Sequence, residues 1–198
     1  MAGLILASGS QVRRRLLADA GVVFTVEAAA VDEAEIKKRY RNEARSVEDT
    51  ALALACAKAR AVAGHNNDAH VIGADQMLEQ DGRWFDKPAS VADARKHLQA
   101  FSRRSHRLIT ATSVIAADTE VWHSVEVATL HVRPLSDGFI DGYLAAVGDD
   151  ACASVGAYQL ESLGIQLFER IDGDYFTILG LPLVPLLAFL RGRGLMAS

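Results

Sequence analysis

Arg107-Leu108-Ile109-Thr110-Ala111-Thr112-Ser113-Val114-Ile115-Ala116-Ala117, followed by Asp118-Thr119 and then residues 121–132, is the stretch that decides the fold class. Both long segments alternate in character and are rich in β-branched residues. The short polar break between them reads as the turn of a β-hairpin. Outward from it, strands and helices intermingle. Residues 4–7 read as a short buried strand, 11–20 as a helix ended by Gly21, and 22–26 as a second strand. Helices are expected over 34–43 and 47–63, the latter opened by Ser46 and Asp49 at capping-box spacing and stopped near Gly64. Residues 70–74 form a strand, and Ser90 caps a helix over 91–100. Downstream, Ser136 starts a helix to about residue 146, 166–171 form a strand, Asp172-Gly173-Asp174 turns, and Pro182 opens the final helix. The expected fold is α/β: a mixed twisted sheet with flanking helices, in two lobes around a central cleft.

The 198 residues suffice for one domain with a continuous core, and no linker, repeat or low-complexity tract divides them. A formal net charge of −4 argues against nucleic acid as partner, which calls for a basic field. Clusters such as Lys37-Lys38-Arg39 and Arg103-Arg104 read as solvated surface. No stretch reaches the roughly 18 apolar residues of a membrane span. The two cysteines, Cys56 and Cys152, lack CxxC partners, and the six histidines form no HxxxH or HxH pattern. A disulfide framework and a histidine zinc site are therefore not expected. With no basic stretch ahead of residues 4–8, a cytoplasmic setting is expected.

Polar residues placed in apolar surroundings mark the candidate site. Ser8-Gly9-Ser10-Gln11-Val12-Arg13 runs from a strand end through a small-residue loop into a helix, where backbone N–H groups favour an anion. Arg13, one turn in, adds forked donors for a phosphate; an ordinary capped helix start explains the same residues. Asp75 ends Val71-Ile72-Gly73-Ala74, a poor core residue and a good oxygen ligand for a hard cation. Glu33 is the natural second carboxylate, although Asp32 and Glu35 beside it also fit an acidic helix start. Lys58, in an alanine-rich helix, either snorkels to solvent or points into a cleft. Lys87, held extended by Pro88, is suited to neutralising charge on a leaving phosphate.

Together these segments resemble the Maf family of nucleotide pyrophosphatases, also described as septum-formation inhibitors. Leu6-Ala7-Ser8-Gly9-Ser10 with Arg13 and Leu16-Leu17 resembles the family's opening motif. Ala55-x-x-Lys58-Ala59, Gly73-Ala74-Asp75, Lys87-Pro88, His106 with Thr110, Gly156-Ala157-Tyr158, Ile171-Asp172-Gly173-Asp174-Tyr175 and Leu179-Gly180-Leu181-Pro182-Leu183 follow in family order. The resemblance implies a Maf/inosine-triphosphatase-like fold over 1–198. It also implies cleavage of nucleoside triphosphates to the monophosphate and pyrophosphate with a divalent cation (Mg²⁺, Mn²⁺ or Co²⁺), and a homodimer. Asp75 would be the catalytic acid/base or metal-orienting residue, with Lys58 and Lys87 beside it in catalysis. Ser8, Ser10 and Arg13 would bind the phosphates, and Glu33 would share the metal with Asp75.

The chain departs from the family pattern where substrate choice is expected. Gln11 stands where the family usually has proline, and Val12, a candidate substrate contact, where arginine or tryptophan is common. Gln76 follows Asp75 in place of the threonine of the branch preferring dTTP and UTP. Tyr158-Gln159-Leu160-Glu161-Ser162 stands where the family has Tyr-x-Ile-Gln-Gly, with glutamate in place of glutamine. Gln76 and Glu161 resemble the branch acting on 7-methyl-GTP. A carboxylate accepts from N1–H and the exocyclic amine of guanine, whereas the carbonyl oxygens of thymine or uracil would repel it. The alternatives are a pyrimidine nucleotide pyrophosphatase, or a nucleotide-binding regulator of cell division whose catalysis is vestigial.

Overall fold

In a computed structural model, which describes residues 3–197, seven strands form one mixed sheet and seven helices accompany it. The strands are β1 (Gly3–Leu6), β2 (Thr25–Val26), β3 (Ala69–Gln80), β4 (Arg83–Phe85), β5 (Ser105–Ala116), β6 (Thr119–Val132) and β7 (Phe168–Asp172). Their order is β2-β1-β3-β5-β6-β7, with β4 on β3. β1 lies parallel to both β2 and β3, while β4 on β3 and β7 on β6 are antiparallel. The parallel part explains the unbroken apolar run of β1: Leu4, Ile5 and Leu6 are all buried, as both faces of such a strand are covered. The hairpin turn is Ala117-Asp118, both at positive φ, which matches the twist of the two strands it joins.

The helices are α1 (Gln11–Asp19), α2 (Glu33–Asn42), α3 (Val47–Ala63), α4 (Val91–Phe101), α5 (Asp137–Val147), α6 (Tyr175–Ile178) and α7 (Leu183–Gly192). Their starts follow side-chain caps: Ser10, Asp32, Ser46, Ser90, Ser136 and Asp174 each accept a first-turn backbone N–H. None of them is long and apolar enough to cross a membrane.

Several boundaries differ from the sequence expectation. The strand expected over 22–26 shrinks to Thr25–Val26, because Val23 is 87% exposed and unpaired residues precede it. The strand expected over 70–74 runs on to Gln80 and turns back through Asp81-Gly82 into β4. That pair takes φ of 52° and 80°, a two-residue hairpin turn for which Asp-Gly is a strong signal, and it escaped the sequence reading. Pro182 is the residue before α7 rather than its first turn, and two short 3-10 turns, Gly148–Cys152 and Leu163–Leu167, were not anticipated.

The chain divides into two compact units. The first comprises residues up to 76, 109–126 and from 174 onward; the second comprises 77–108 and 127–173. In the first, Leu4, Leu6, Leu17, Ile72, Val114, Leu181, Leu186 and Leu190 form a core. A second cluster, with Ile5, Val71, Ala59, Val62 and Ile115, seats α3. The second unit centres on aromatic rings, Phe85, His97, Phe101, His106, Tyr158 and Phe168, in edge-on and tilted contact.

Candidate active site

The site in the first unit begins with Gly73. A Cβ there would overlap the backbone oxygen of Ala55 and the backbone nitrogen of Ala59, so β3 and α3 pack main chain against main chain. That close approach sets Lys58, one residue before Ala59, against Asp75, two residues past Gly73. Lys58 Nζ lies 2.5 Å from Asp75 Oδ1 and 2.8 Å from Glu33 Oε1. Lys58 therefore does not snorkel away: its side chain is 14% exposed and bonded to both carboxylates. Glu33 is the first residue of α2, as its acidic-helix-start reading expects, and also partners that lysine.

The Ser8 loop joins the same cluster. Ser8 is buried, and its hydroxyl accepts from Ser10 N (3.2 Å) and from Arg13 Nη1 (3.3 Å). Ser10 caps α1 through its bond from Arg13 N. Arg13 Nη1 also donates to the Ala74 carbonyl at 2.8 Å, and Nε to the Gly180 carbonyl at 2.7 Å. Burial pulls its pKa below the ordinary guanidinium value, with the Asp75 and Glu33 charges opposing that shift. Arg13 thus first holds three pieces of chain together; Nη2 is the nitrogen with no hydrogen-bond partner among the described residues. Val12, beside it, is 36% exposed.

Gln76 is engaged differently from a free base-reading side chain. Its Nε2 donates to Thr110 Oγ1 (2.9 Å) and to the carbonyls of Thr177 and Ile178 (both 3.0 Å). Thr110 Oγ1 itself donates to Thr177 O. Together they tie β3, β5 and α6 into one hydrogen-bonded knot. Lys87 and Glu161 belong to the second unit, both exposed, Lys87 on the segment between β4 and α4 and Glu161 just before a 3-10 turn.

Two carboxylates and two fixed cations, Lys58 and Arg13, make a formally balanced cluster. Asp75 and Glu33 converge on one ammonium, so their oxygens already face a common point of positive charge. That donor set suits a hard divalent cation. No group of three or more His, Cys, Asp or Glu able to hold a metal exists among the described residues.

The family described as Maf-like protein matches residues 3–193. A protein of Rhizobium meliloti (strain 1021) named 7-methyl-GTP pyrophosphatase is 52% identical over 191 residues, 96% of each chain. One of Nitrobacter winogradskyi named nucleoside triphosphate pyrophosphatase is 50% identical over 194 residues, 98% of this chain and 95% of that one. Among solved structures, a HAM1 protein from Coxiella burnetii is 18% identical, with a TM-score of 0.41 over 67% of this chain and 73% of that one.

Proposed function

Because the chain belongs to the Maf family, we propose that it is a nucleoside triphosphate pyrophosphatase whose chemistry centres on Asp75, Lys58 and Glu33. The observation that carries this reading is a single one. Lys58 is held by Asp75 and Glu33 at once, in the unit where the buried Ser8 hydroxyl accepts from Arg13 at the start of α1. The relatives named as pyrophosphatases, about half identical along nearly the whole chain, give the same direction.

In the proposed reaction water attacks the α-phosphorus, a new O–P bond forms, and the bond from that phosphorus to the bridging oxygen breaks. The products are the nucleoside monophosphate and pyrophosphate. Asp75 orients the water and takes its proton. Lys58 meets the charge that builds on the departing pyrophosphate. Ser8 keeps its hydroxyl proton for a phosphate oxygen while accepting from Arg13, and Arg13 offers Nη2. A divalent cation held by Asp75 and Glu33 would offset phosphate charge during the displacement.

The substrate within this reading is a purine nucleotide of the 7-methyl-GTP kind. Glu161 supplies the acceptor carboxylate, and a relative at 52% identity carries that name. Gln76 stands in this reading as a further substrate contact, held in place by the hydrogen bonds of its amide nitrogen. The test is pyrophosphate release from 7-methyl-GTP, GTP, dTTP, UTP and CTP with Mg²⁺, Mn²⁺ or Co²⁺. Preference for 7-methyl-GTP supports the whole reading. Preference for pyrimidines keeps the enzyme and removes the Glu161 argument, and silence across the panel removes the enzyme.

A further inference from the structure

The second unit holds a pair of buried polar side chains that the proposed chemistry does not use. His106 on β5 is 1% exposed, and its Nε2 lies 2.6 Å from the Tyr158 hydroxyl. The Phe101 ring packs 4.7 Å from the imidazole, and the Phe168 ring stands edge-on to Tyr158 at 4.9 Å. His106 Nδ1 has no hydrogen-bond partner among the described residues, so the bond to Tyr158 is the one that satisfies the buried imidazole.

Everything around Tyr158 fixes the backbone that leads to Glu161. The Ser154 hydroxyl bonds both the N–H and the carbonyl of Tyr158, at 3.1 and 2.6 Å. Tyr143 donates to the Ala157 carbonyl at 3.2 Å, and Ala157 itself is held at φ 60°, a conformation side chains rarely adopt. Gly156 has no Cβ because the Tyr158 ring folds back onto it; an added Cβ would overlap that ring. Beyond Tyr158, the loop closes on itself. Gly164 packs against the Gln159 backbone with no room for a Cβ, and Ser162 N donates to Gln159 O at 3.2 Å. Glu161 stands exposed on a short loop whose two ends are locked.

We propose that His106 and Tyr158 are positioning residues for base recognition: their buried hydrogen bond anchors the root of the loop that presents Glu161. The inference rests on the reading of Glu161 as the base-contacting carboxylate. The pair is built for constancy, because burial drives the imidazole down to about 3 and the phenol up, so both stay neutral near pH 7. A rigid root lowers the ordering cost of binding a base without touching the phosphates.

The test compares GTP and 7-methyl-GTP with ribose 5-triphosphate, which carries the same phosphates and no base, on wild type, His106→Phe, Tyr158→Phe and His106→Gln. With either pair-breaking variant, KM for the two guanine nucleotides should rise about tenfold while kcat stays within about twofold, as for one lost hydrogen bond. Cleavage of ribose 5-triphosphate should not change, and His106→Gln, which keeps a polar group at similar reach, should recover part of the loss. Equal losses on all three substrates would make the pair a structural contact only and overturn the inference. No change on any of them would overturn it as well. Tyr158→Phe, which removes only an oxygen, keeps the test open where His106→Phe melts early. Glu161→Gln separates the premise. If it leaves the guanine preference intact, the base reading fails and the inference with it. If it abolishes that preference while the pair variants do nothing, only the inference fails.

Discussion

The Lys58 cluster and the Tyr158 loop hold their functional groups by opposite means. Around Lys58, charges meet charges: an ammonium between two carboxylates, and a guanidinium on two carbonyls. Each of these side chains sits on, or within a residue or two of the end of, a regular element. Around Tyr158 the contacts are neutral, made of rings, hydroxyls and backbone too tight for a Cβ, on chain with little regular structure. Charge-assisted bonds are strong and directional, and suit groups that must face a polyanion. Neutral packing fixes a shape without adding charge, and suits a loop whose exposed tip does the discriminating. If the proposed roles hold, bond making and selection should be separable by mutation.

The largest break of that comparison is Asp75→Asn. It keeps the volume and removes the proton acceptor, so kcat should fall by about 10³-fold or more, with thermal unfolding still cooperative; turnover within tenfold of wild type would remove Asp75 from the chemistry. Next comes Gly73→Ala. The added methyl meets main chain of α3 rather than a flexible side chain, so stability should drop by about 1–3 kcal/mol in a denaturant titration. Turnover should fall with it as Lys58 is pushed from Asp75. An unchanged midpoint would mean the two elements separate freely. Glu161→Gln acts on the other side of the comparison. It should shift the guanine-to-pyrimidine ratio of kcat/KM by about tenfold while ribose 5-triphosphate is cleaved as before. A ratio that stays put argues that bases are read elsewhere.

The last prediction concerns pH. His106 has a folded pKa of about 3 against an ordinary 6.5, so the unfolded chain binds its proton first. Its contribution to stability is complete above pH 6.5 and is lost as pH falls from there toward 3, at about 1 kcal/mol per pH unit. Burial lowers His97 and His70 in the same direction. His106→Phe should therefore flatten, but not abolish, the acid limb of stability measured between pH 6 and 4.5. A limb of wild-type slope would mean that His106 is protonated freely in the folded chain.

The charged half was legible in the sequence because its residues stand out from their surroundings. Asp75 closes an apolar strand, and Lys58 interrupts a run of alanines. The hairpin and the helix caps were legible too, since β-branched alternation and Ser/Asp cap positions are local signals. Arg13 shows the limit. A forked contact to phosphate was the natural expectation, yet its Nε acceptor is a carbonyl 167 residues away, and no local pattern encodes such a pairing. The same applies to His106 and Tyr158, 52 residues apart. Gln76 drew attention as a departure from the family pattern, whereas its three hydrogen bonds depend on where Thr177 and Ile178 arrive. The missed β4 is a different case, because Asp81-Gly82 announced it.

The first unit is assembled from three separated stretches of chain, and this sets a timetable for its synthesis. Ser8, Arg13, Lys58 and Asp75 leave the ribosome in the first of them. Leu181, Leu186 and Leu190, which complete the core beneath β1, belong to the last, as does the Gly180 carbonyl that Arg13 clasps. A nascent chain therefore carries this cluster of carboxylates and cations long before it has the means to fix them. Translation products cut short before α7 should be inert.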